Sequence, residues 1–241
     1  MEIEENTDAN TETKKKTDSE WNEVEKVILN RRSVRRFRSK KVPDYLLRRI
    51  LEAGRYAPSA GNCQPWRFIV LQNWEMIQEM SDILIKKMGP LEKIVNSTGL
   101  ARDIAVSAIG LLKSQSMGDL RPFGATREVL AGRLKIFHDS PVVILVLKDT
   151  RGIDSPEFDT GLCSQNMVLA AHSLGLATCY IGFASFLKDK KWLRKMEISK
   201  PWEISTAICV GYPKFKPDGI VQRDMPQIDY YDQDGSKKIL F

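Results

Sequence analysis

Metal-binding side chains are scarce in this sequence. Of its 241 residues, four are cysteine and two are histidine. No two cysteines form a C-x-x-C pair, and no histidine stands at metal-ligand spacing from a cysteine, so the sequence gives no support for a zinc or iron–sulfur site. Two histidines, His138 and His172, are also too few for a histidine-rich metal centre. We therefore expect no metal.

Long apolar runs are missing as well. No stretch reaches the ~18 residues of a transmembrane helix, and the N-terminal residues lack the basic segment followed by an apolar segment that marks a secretory signal. We therefore expect a soluble protein of a reducing cytoplasm, with free thiols and no membrane among its partners.

Charge is unevenly distributed along the chain. The net charge is +6, but residues 1–20 carry three lysines and seven acids, which leaves −4 there and +10 in the remainder. Residues 1–17 have almost nothing to bury, so we predict a disordered N-terminal tail. We predict that residues 18–241 form a single domain that ends in an extended C-terminal arm from about residue 212.

Hydrophobic periodicity predicts alternating helices and strands. The predicted helices cover about residues 18–29, 43–58, 74–87, 101–112, 159–173 and 188–195, and the predicted strands cover 66–71, 142–147, 176–181 and 204–210. The strand 142–147 is apolar at every position, as expected for a strand buried on both faces. The pattern predicts layers of helix around one core sheet of four or five strands.

The sequence lacks two common phosphate-binding motifs. No G-x-G-x-x-G follows a predicted strand, and no G-x-x-x-x-G-K-[ST] occurs, so the sequence gives no support for a Rossmann or P-loop site.

The basic segment 31–41, RRSVRRFRSKK, carries seven positive charges and no acid. Arginine pairs with phosphate oxygens through two hydrogen bonds, so Arg31, Arg32, Ser33 and Arg35 are candidates to hold a phosphate monoester. A solvated basic turn, or a patch for nucleic acid or a membrane surface, is the alternative.

Two further segments carry groups that suit a flat ligand. The loop 58–65, PSAGNCQP, combines small residues with the amides of Asn62 and Gln64, which can bind ring heteroatoms. Gly182 follows a predicted strand and can present its backbone N–H to a ligand. Each segment alone is an ordinary turn.

In combination, these segments resemble the nitroreductase family of FMN-dependent oxidoreductases. The resemblance rests on RRSVRRF, PSAGNCQPW, EFDTGLCSQNMVLAAHSLGLATCYIGF and AICVGYP, in this order. It covers about residues 24–72 and 140–226 and is weak over 75–135. It implies an α+β fold of three-layer α/β/α type, with a mixed central sheet flanked by helices. It also implies a homodimer with two FMN sites at the subunit interface and the helix 159–173 at the dimer core.

The resemblance also implies roles for individual residues. Arg31, Arg32, Ser33 and Arg35, together with Arg223 of the C-terminal arm, would hold the FMN phosphate. Pro58, Ser59 and Ala60 would come from the partner subunit and line the flavin ring, with polar contacts from Asn62 and Gln64. The Gly182 amide would face flavin N5, with Ile181 beside it. Two positions depart from the family: Arg223 has no basic neighbour, and Ile181 stands where other members have Glu or Gly.

The implied chemistry takes place on the flavin. FMN accepts a hydride at N5, so no catalytic side chain is expected. We expect ping-pong transfer from NADH or NADPH to a small-molecule acceptor such as a nitroaromatic or a quinone, with no nucleic acid bound. One alternative is a specialised flavoprotein of the same fold: a dehalogenase, a flavin-destroying enzyme or an FMN-binding sensor. The other is a non-catalytic protein that binds anions or nucleic acid through residues 31–41.

Overall fold

The computed structural model describes residues 21–95, 128–129, 132, 135–215, 219–224 and 226–239. The predicted tail 1–17 and the predicted helix 101–112 lie outside the described residues. Contacts within the chain separate a large unit, Arg31–Pro217, from a small unit that combines the residues before Arg31 with those after Pro217. Each unit is described by itself.

Regular elements follow the predicted alternation. The helices are α1 (Glu23–Asn30), α2 (Asp44–Arg55), α3 (Trp74–Val95), α4 (Pro156–Ser173) and α5 (Lys190–Lys195), and the strands are β1 (Trp66–Leu71), β2 (Val142–Asp149), β3 (Ala177–Ile181), β4 (Trp202–Gly211), β5 (Asp229–Tyr231) and β6 (Lys237–Ile239). Two short 3₁₀ helices cover Ala60–Asn62 and Gly182–Phe186. No helix among the described residues has both the length and the apolar character needed to cross a membrane.

The large unit is built on a four-stranded sheet with the order β1-β2-β4-β3. These strands pair antiparallel, with Val70 opposite Ile144, Ile144 opposite Ile208 and Cys179 opposite Cys209. A parallel contact joins the sheet edge to the basic segment, because Ser33 forms a β-bridge with Thr178 of β3.

Both faces of the sheet are covered by apolar side chains. Alternate residues of β2 point to opposite faces, because side chains alternate along a strand. On one face, Ile144 and Val146 belong to a buried cluster with side chains of α2 and α4 such as Ile50 and Met167. On the other face, Val143, Leu145 and Leu147 belong to a second cluster with side chains of α3 and of the segment after β3. The three-layer α+β fold expected from the sequence is confirmed.

Some helix boundaries differ from the prediction because capping residues set them. The helix predicted from residue 159 begins at Pro156, where proline suits the first turn and the Ser155 side chain accepts a hydrogen bond from the Phe158 backbone N–H. The helix predicted from residue 18 begins at Glu23. There the Glu25 N–H donates to Asn22 Oδ1 at 2.9 Å and the Asn22 N–H donates to Glu25 Oε2 at 2.8 Å, which is a capping box.

The small unit contains a β-hairpin that was not predicted from the sequence pattern. Strands β5 and β6 pair antiparallel within the C-terminal arm, with Asp229 opposite Ile239. An ion pair of 3.0 Å between Lys237 Nζ and Asp229 Oδ1 joins the two strands. The arm therefore contains a short element of regular structure.

Candidate functional site

The basic segment 31–41 is a folded part of the large unit. The Val34 backbone N–H donates to the Thr178 carbonyl at 2.9 Å, which extends the contact of Ser33 with β3. Three residues further on, Phe37 is buried and forms a second β-bridge, with Pro213. These backbone contacts hold residues 33–37 against β3 and against the residues that follow β4, so this stretch is an ordered part of the fold.

Two arginines of this segment act on buried groups of β3 and its neighbours. Burial lowers the pKa of His172, and the positive charge of Arg31 lowers it further. Burial raises the pKa of the Cys179 thiol, an effect that the charges of Arg35 and Arg31 partly oppose. In the described part of the chain, no carboxylate forms an ion pair with Arg31 or Arg35. Both guanidinium groups are therefore available to an external anion.

Arg35 also lines a cationic cleft of about 400 Å³. Arg36, Lys135 and Lys214 contribute further positive charge to this cleft, and Asp139 is its acid. His138 lies on its wall with only 8% of its surface exposed, and its Nδ1 atom has no hydrogen-bond partner among the described residues. Burial and then the charge of Arg35 lower the pKa of His138 from 6.5 to about 4, so the imidazole is neutral at pH 7.

The loop 58–65 has a tightly defined backbone. Gly61, Asn62 and Gln64 all have positive φ, at 55°, 56° and 49°, in the left-handed region that glycine and asparagine favour. The Gln64 N–H donates to Ser59 Oγ at 2.9 Å, and Gln64 Nε2 donates to Asn62 Oδ1 at 3.2 Å. The two predicted amide groups are therefore adjacent and exposed at the surface of the loop.

One acid that was not predicted as a site residue anchors this loop. Asp159 of α4 is 4% exposed, and its Oδ2 atom accepts a hydrogen bond from the Ala60 backbone N–H at 3.3 Å. The sequence carries no distinct signal for this role, because the same helix contains other polar residues such as Glu157 and Asn166. The contact fixes the predicted ring-lining residues Pro58, Ser59 and Ala60 to the N-terminal turns of α4.

Gly182 lies at the end of β3, where the chain turns into a 3₁₀ helix. A Cβ atom added at Gly182 would meet no atom of the described chain within 4 Å, so its surroundings are open. Ile181 beside it is 5% exposed and packs into the core. Gly182 is four residue steps from Thr178 along β3, roughly 13 Å, so Ser33 of the basic segment and Gly182 lie at the same edge strand.

The structure therefore groups the predicted site residues by element. Ser33 forms a β-bridge with β3, and the charges of Arg31 and Arg35 act on Cys179 of this strand. Ile181 ends β3 and Gly182 follows it, while the loop 58–65 is bonded to α4 through Ala60. Arg32 precedes Ser33 in the same segment and is half-buried. Arg223 belongs to the small unit and is exposed.

Residues 28–212 match the model of the Nitroreductase family. The chain belongs to this family. The matched range includes every predicted site residue except Arg223, and it includes the Asp159 anchor of the loop.

Several reductases resemble the chain over most of its length. A protein of Methanothermobacter thermautotrophicus named "Putative NADH dehydrogenase/NAD(P)H nitroreductase" is 28% identical over 200 residues, 81% of this chain and 80% of the relative. A 4-nitrobenzoate reductase of Pseudomonas putida is 27% identical over 205 residues, 77% of this chain and 83% of the relative. The structure of a nitroreductase with bound FMN from Desulfitobacterium hafniense has a TM-score of 0.62 at 25% identity, covering 84% of this chain and 95% of that one.

Proposed function

We propose that this nitroreductase-family protein is an FMN-dependent oxidoreductase. It passes reducing equivalents from NADH or NADPH to a small-molecule acceptor, such as a nitroaromatic or a quinone, in ping-pong order. One observation carries the proposal: the basic segment 31–41 contacts the edge strand β3, and Gly182, whose surroundings are open, follows the end of the same strand. The family match, the FMN-bound structure and the names of the reductase relatives support it.

The chemistry of the donor groups fits FMN. Arg31 and Arg35 supply guanidinium groups without a carboxylate partner in the described chain, and exposed Ser33 supplies a hydroxyl, which together suit a phosphate monoester. Arg32 lies in the same segment and belongs to the proposed phosphate set, whereas the phosphate contact expected of Arg223 stays a prediction. The absence of a Cβ at Gly182 leaves space for a flat ring beside its backbone N–H. The neighbouring amides of Asn62 and Gln64 match the polar edge of a flavin.

The residues of the chain bind and orient the cofactor in this proposal. FMN, when bound, supplies hydride and electron transfer. The arginines hold the phosphate end, Ile181 supports the strand from its buried side, and Gly182 leaves room for the ring. No side chain is needed as a nucleophile, and neutral His138 lies in the cleft wall as a structural group.

We also propose that the functional unit is a homodimer. Pro58, Ser59 and Ala60 would then complete the flavin site of the other subunit. The outer face of α4 carries the exposed residues Phe158, Gly161 and Gln165 and the half-buried Leu162 and Leu169, and none of the five is charged. Phe158 is 65% exposed in the single chain, so a second copy packed on this face would bury it.

A visible absorption spectrum of the purified protein tests the function directly. We expect a flavin spectrum, either as purified or after addition of FMN, that bleaches when NADH or NADPH is added without oxygen. The nucleotide that reduces the flavin faster is the preferred reductant. Reoxidation of the flavin by a nitroaromatic or by a quinone identifies the class of acceptor. A protein that takes up no FMN contradicts the proposal.

Titration with FMN at two salt concentrations distinguishes a flavin pocket from the non-catalytic alternative, a basic patch that binds anions. A basic patch that binds anions by charge alone loses affinity steeply as salt rises, whereas a flavin pocket adds ring contacts that persist. Measured at 50 and 500 mM NaCl, FMN affinity should therefore change less than the affinity for inorganic phosphate. Flavin that binds but is not reduced by either nucleotide would instead favour an FMN-binding sensor.

A further inference from the structure

Segment 187–204 folds around a pocket of about 460 Å³. None of its lining residues belongs to the proposed flavin site. Its floor is apolar and continuous with the core: Leu187, Ile198 and Ile204 are 1%, 5% and 4% exposed, and Leu193 and Trp202 pack against the same buried cluster. This volume and apolar lining are typical of pockets that hold small organic molecules.

The rim of this pocket is strongly cationic. Lys188, Lys190, Arg194 and Lys200 line it together with a single acid, Glu203. Lys200 Nζ lies 2.5 Å from Glu203 Oε1, so these two charges pair with each other. Arg194 Nε donates to the Lys190 carbonyl at 3.1 Å, which places the Arg194 side chain along α5.

Three positive charges at the rim have no ion pair in the part of the chain that the structure describes. Within the described residues, no carboxylate lies within ion-pair distance of Lys188, Lys190 or Arg194. A ligand that completes this arrangement needs a hydrocarbon body for the floor and an anionic head for the rim. A free phosphate would leave the apolar floor in water, and a cationic amphiphile would be repelled by the rim.

We propose that this pocket binds a medium-chain carboxylate. The alkyl chain lies against Leu193 and Trp202, and the carboxylate lies among Lys188, Lys190 and Arg194. Apolar burial supplies most of the affinity, and the charges select the head group, because exposed ion pairs contribute little by themselves. The site is independent of FMN and of the proposed redox function.

Calorimetric titration of the full-length protein with octanoate, decanoate, decanol and decylammonium tests the proposal. Decanoate should bind saturably with one site per chain and more tightly than octanoate, by up to about fourfold per added methylene. Decanol should bind at least fivefold more weakly than decanoate, and decylammonium should bind more weakly than decanol. Fluorescence of Trp202 provides an independent readout, compared with a Trp202→Phe variant.

Two kinds of variant locate the binding. Leu193→Trp fills the pocket and should weaken decanoate binding at least tenfold. The double variant Lys188→Glu/Arg194→Glu changes only exposed side chains and should abolish the preference for decanoate over decanol. The matched control, Lys86→Glu on the exposed side of α3, should leave both affinities unchanged.

Several outcomes would overturn the assignment. Equal affinity for decanoate and decanol in the parent protein would remove the role of the cationic rim. Undiminished binding in Leu193→Trp would place the ligand elsewhere. A change of molecular mass in Leu193→Trp would show that the pocket belongs to an interface between copies, and no saturable binding of decanoate would leave the pocket without this function.

Discussion

Arg31 and Arg35 differ from most other cations of the basic segment in their surroundings. Both act electrostatically on the thiol of Cys179 in β3, and Arg31 also acts on the phenol of Tyr180, whereas Arg38 bonds to the Pro213 carbonyl. A guanidinium held next to a low-dielectric strand interacts more strongly with an anion than one surrounded by water. The proposed phosphate role therefore rests on the surroundings of these two positions and not on the charge count alone.

Replacing these arginines should weaken FMN binding selectively. Arg31→Ala or Arg35→Ala removes a charge-assisted hydrogen bond of ~1.5–3 kcal/mol, so we expect the Kd for FMN to rise by about 10- to 150-fold. Fluorescence titration of the apoprotein measures this change. Arg48→Ala, an exposed arginine on α2, removes the same charge away from β3 and serves as the control. Equal effects at all three positions would mean that net charge alone attracts the ligand.

The buried histidine should make stability fall in mild acid. The folded protein disfavours protonation of His138, whose pKa is lowered to about 4, whereas the unfolded chain protonates near 6.5. The unfolded state therefore gains protons first as pH falls, and the free energy of unfolding should decrease by about 2 kcal/mol between pH 7 and pH 5 on this account.

His138→Asn isolates that contribution. Asparagine tolerates the left-handed backbone of this residue, φ 55°, and does not titrate. Urea unfolding of both proteins at pH 7, 6 and 5 should show a smaller loss in the variant. His172, whose pKa is also lowered, is present in both proteins and cancels in the comparison. Parallel pH profiles would show that His138 takes up its proton in the folded state.

At the scale of elements, the local sequence pattern was sufficient to predict most strands of the sheet. The strand predicted over 66–71 coincides with β1, and the run of apolar residues at 142–147 forms the doubly covered β2. The predicted start of α1 near residue 18 was wrong, because Asn22 and Glu25 form the cap and the helix begins at Glu23. The anchor of the loop, the bond from Ala60 to Asp159, spans 99 residues, and no local pattern predicts such a contact.

The glycine of the GYP motif illustrates how an element positions the site. A Cβ at Gly211 would lie 2.8 Å from Pro141 Cδ and 2.9 Å from Phe37 Cδ1, two rigid rings. Phe37 belongs to the arginine segment, so β4 and this segment approach each other closely at Gly211. The glycine of this motif is therefore required for the close packing of β4 against Pro141 and Phe37, whether or not the motif contacts a ligand.

Gly211→Ala should destabilise the protein and disturb the arginine segment. Overpacking of this kind costs ~1–3 kcal/mol, measurable by urea unfolding, and we expect FMN affinity to fall with it. In a double-mutant cycle with Phe37→Ala, the two losses in stability should be less than additive, because the smaller side chain relieves one of the clashes. Full additivity would assign the clash to Pro141 alone.

At the scale of the whole molecule, the chain presents a feature that a single copy does not explain. Helix α4 is buried along one side by α2 and the sheet, and its other side exposes an uncharged row that begins with Phe158. The same helix anchors the loop 58–65 through Asp159. A second copy on this face would therefore place two such loops close to the interface, which is where the proposed homodimer needs them.

Charges placed on this row should separate the subunits and release the flavin together. With a chain mass of 27.4 kDa, the native protein should elute at twice that mass in light-scattering chromatography. Phe158→Glu/Gln165→Glu changes only exposed side chains, so the protomer should fold, but burying like charges across a two-fold interface is unfavourable. We expect a monomer that retains its circular dichroism and binds FMN at least tenfold more weakly, because each site would lose the loop of its partner.

Ile85→Glu, on α3 at the opposite face of the sheet, is the matched control and should remain a flavin-bound dimer. A double variant that becomes monomeric with unchanged FMN affinity would show that each subunit holds its flavin alone, and would remove Pro58, Ser59 and Ala60 from the site.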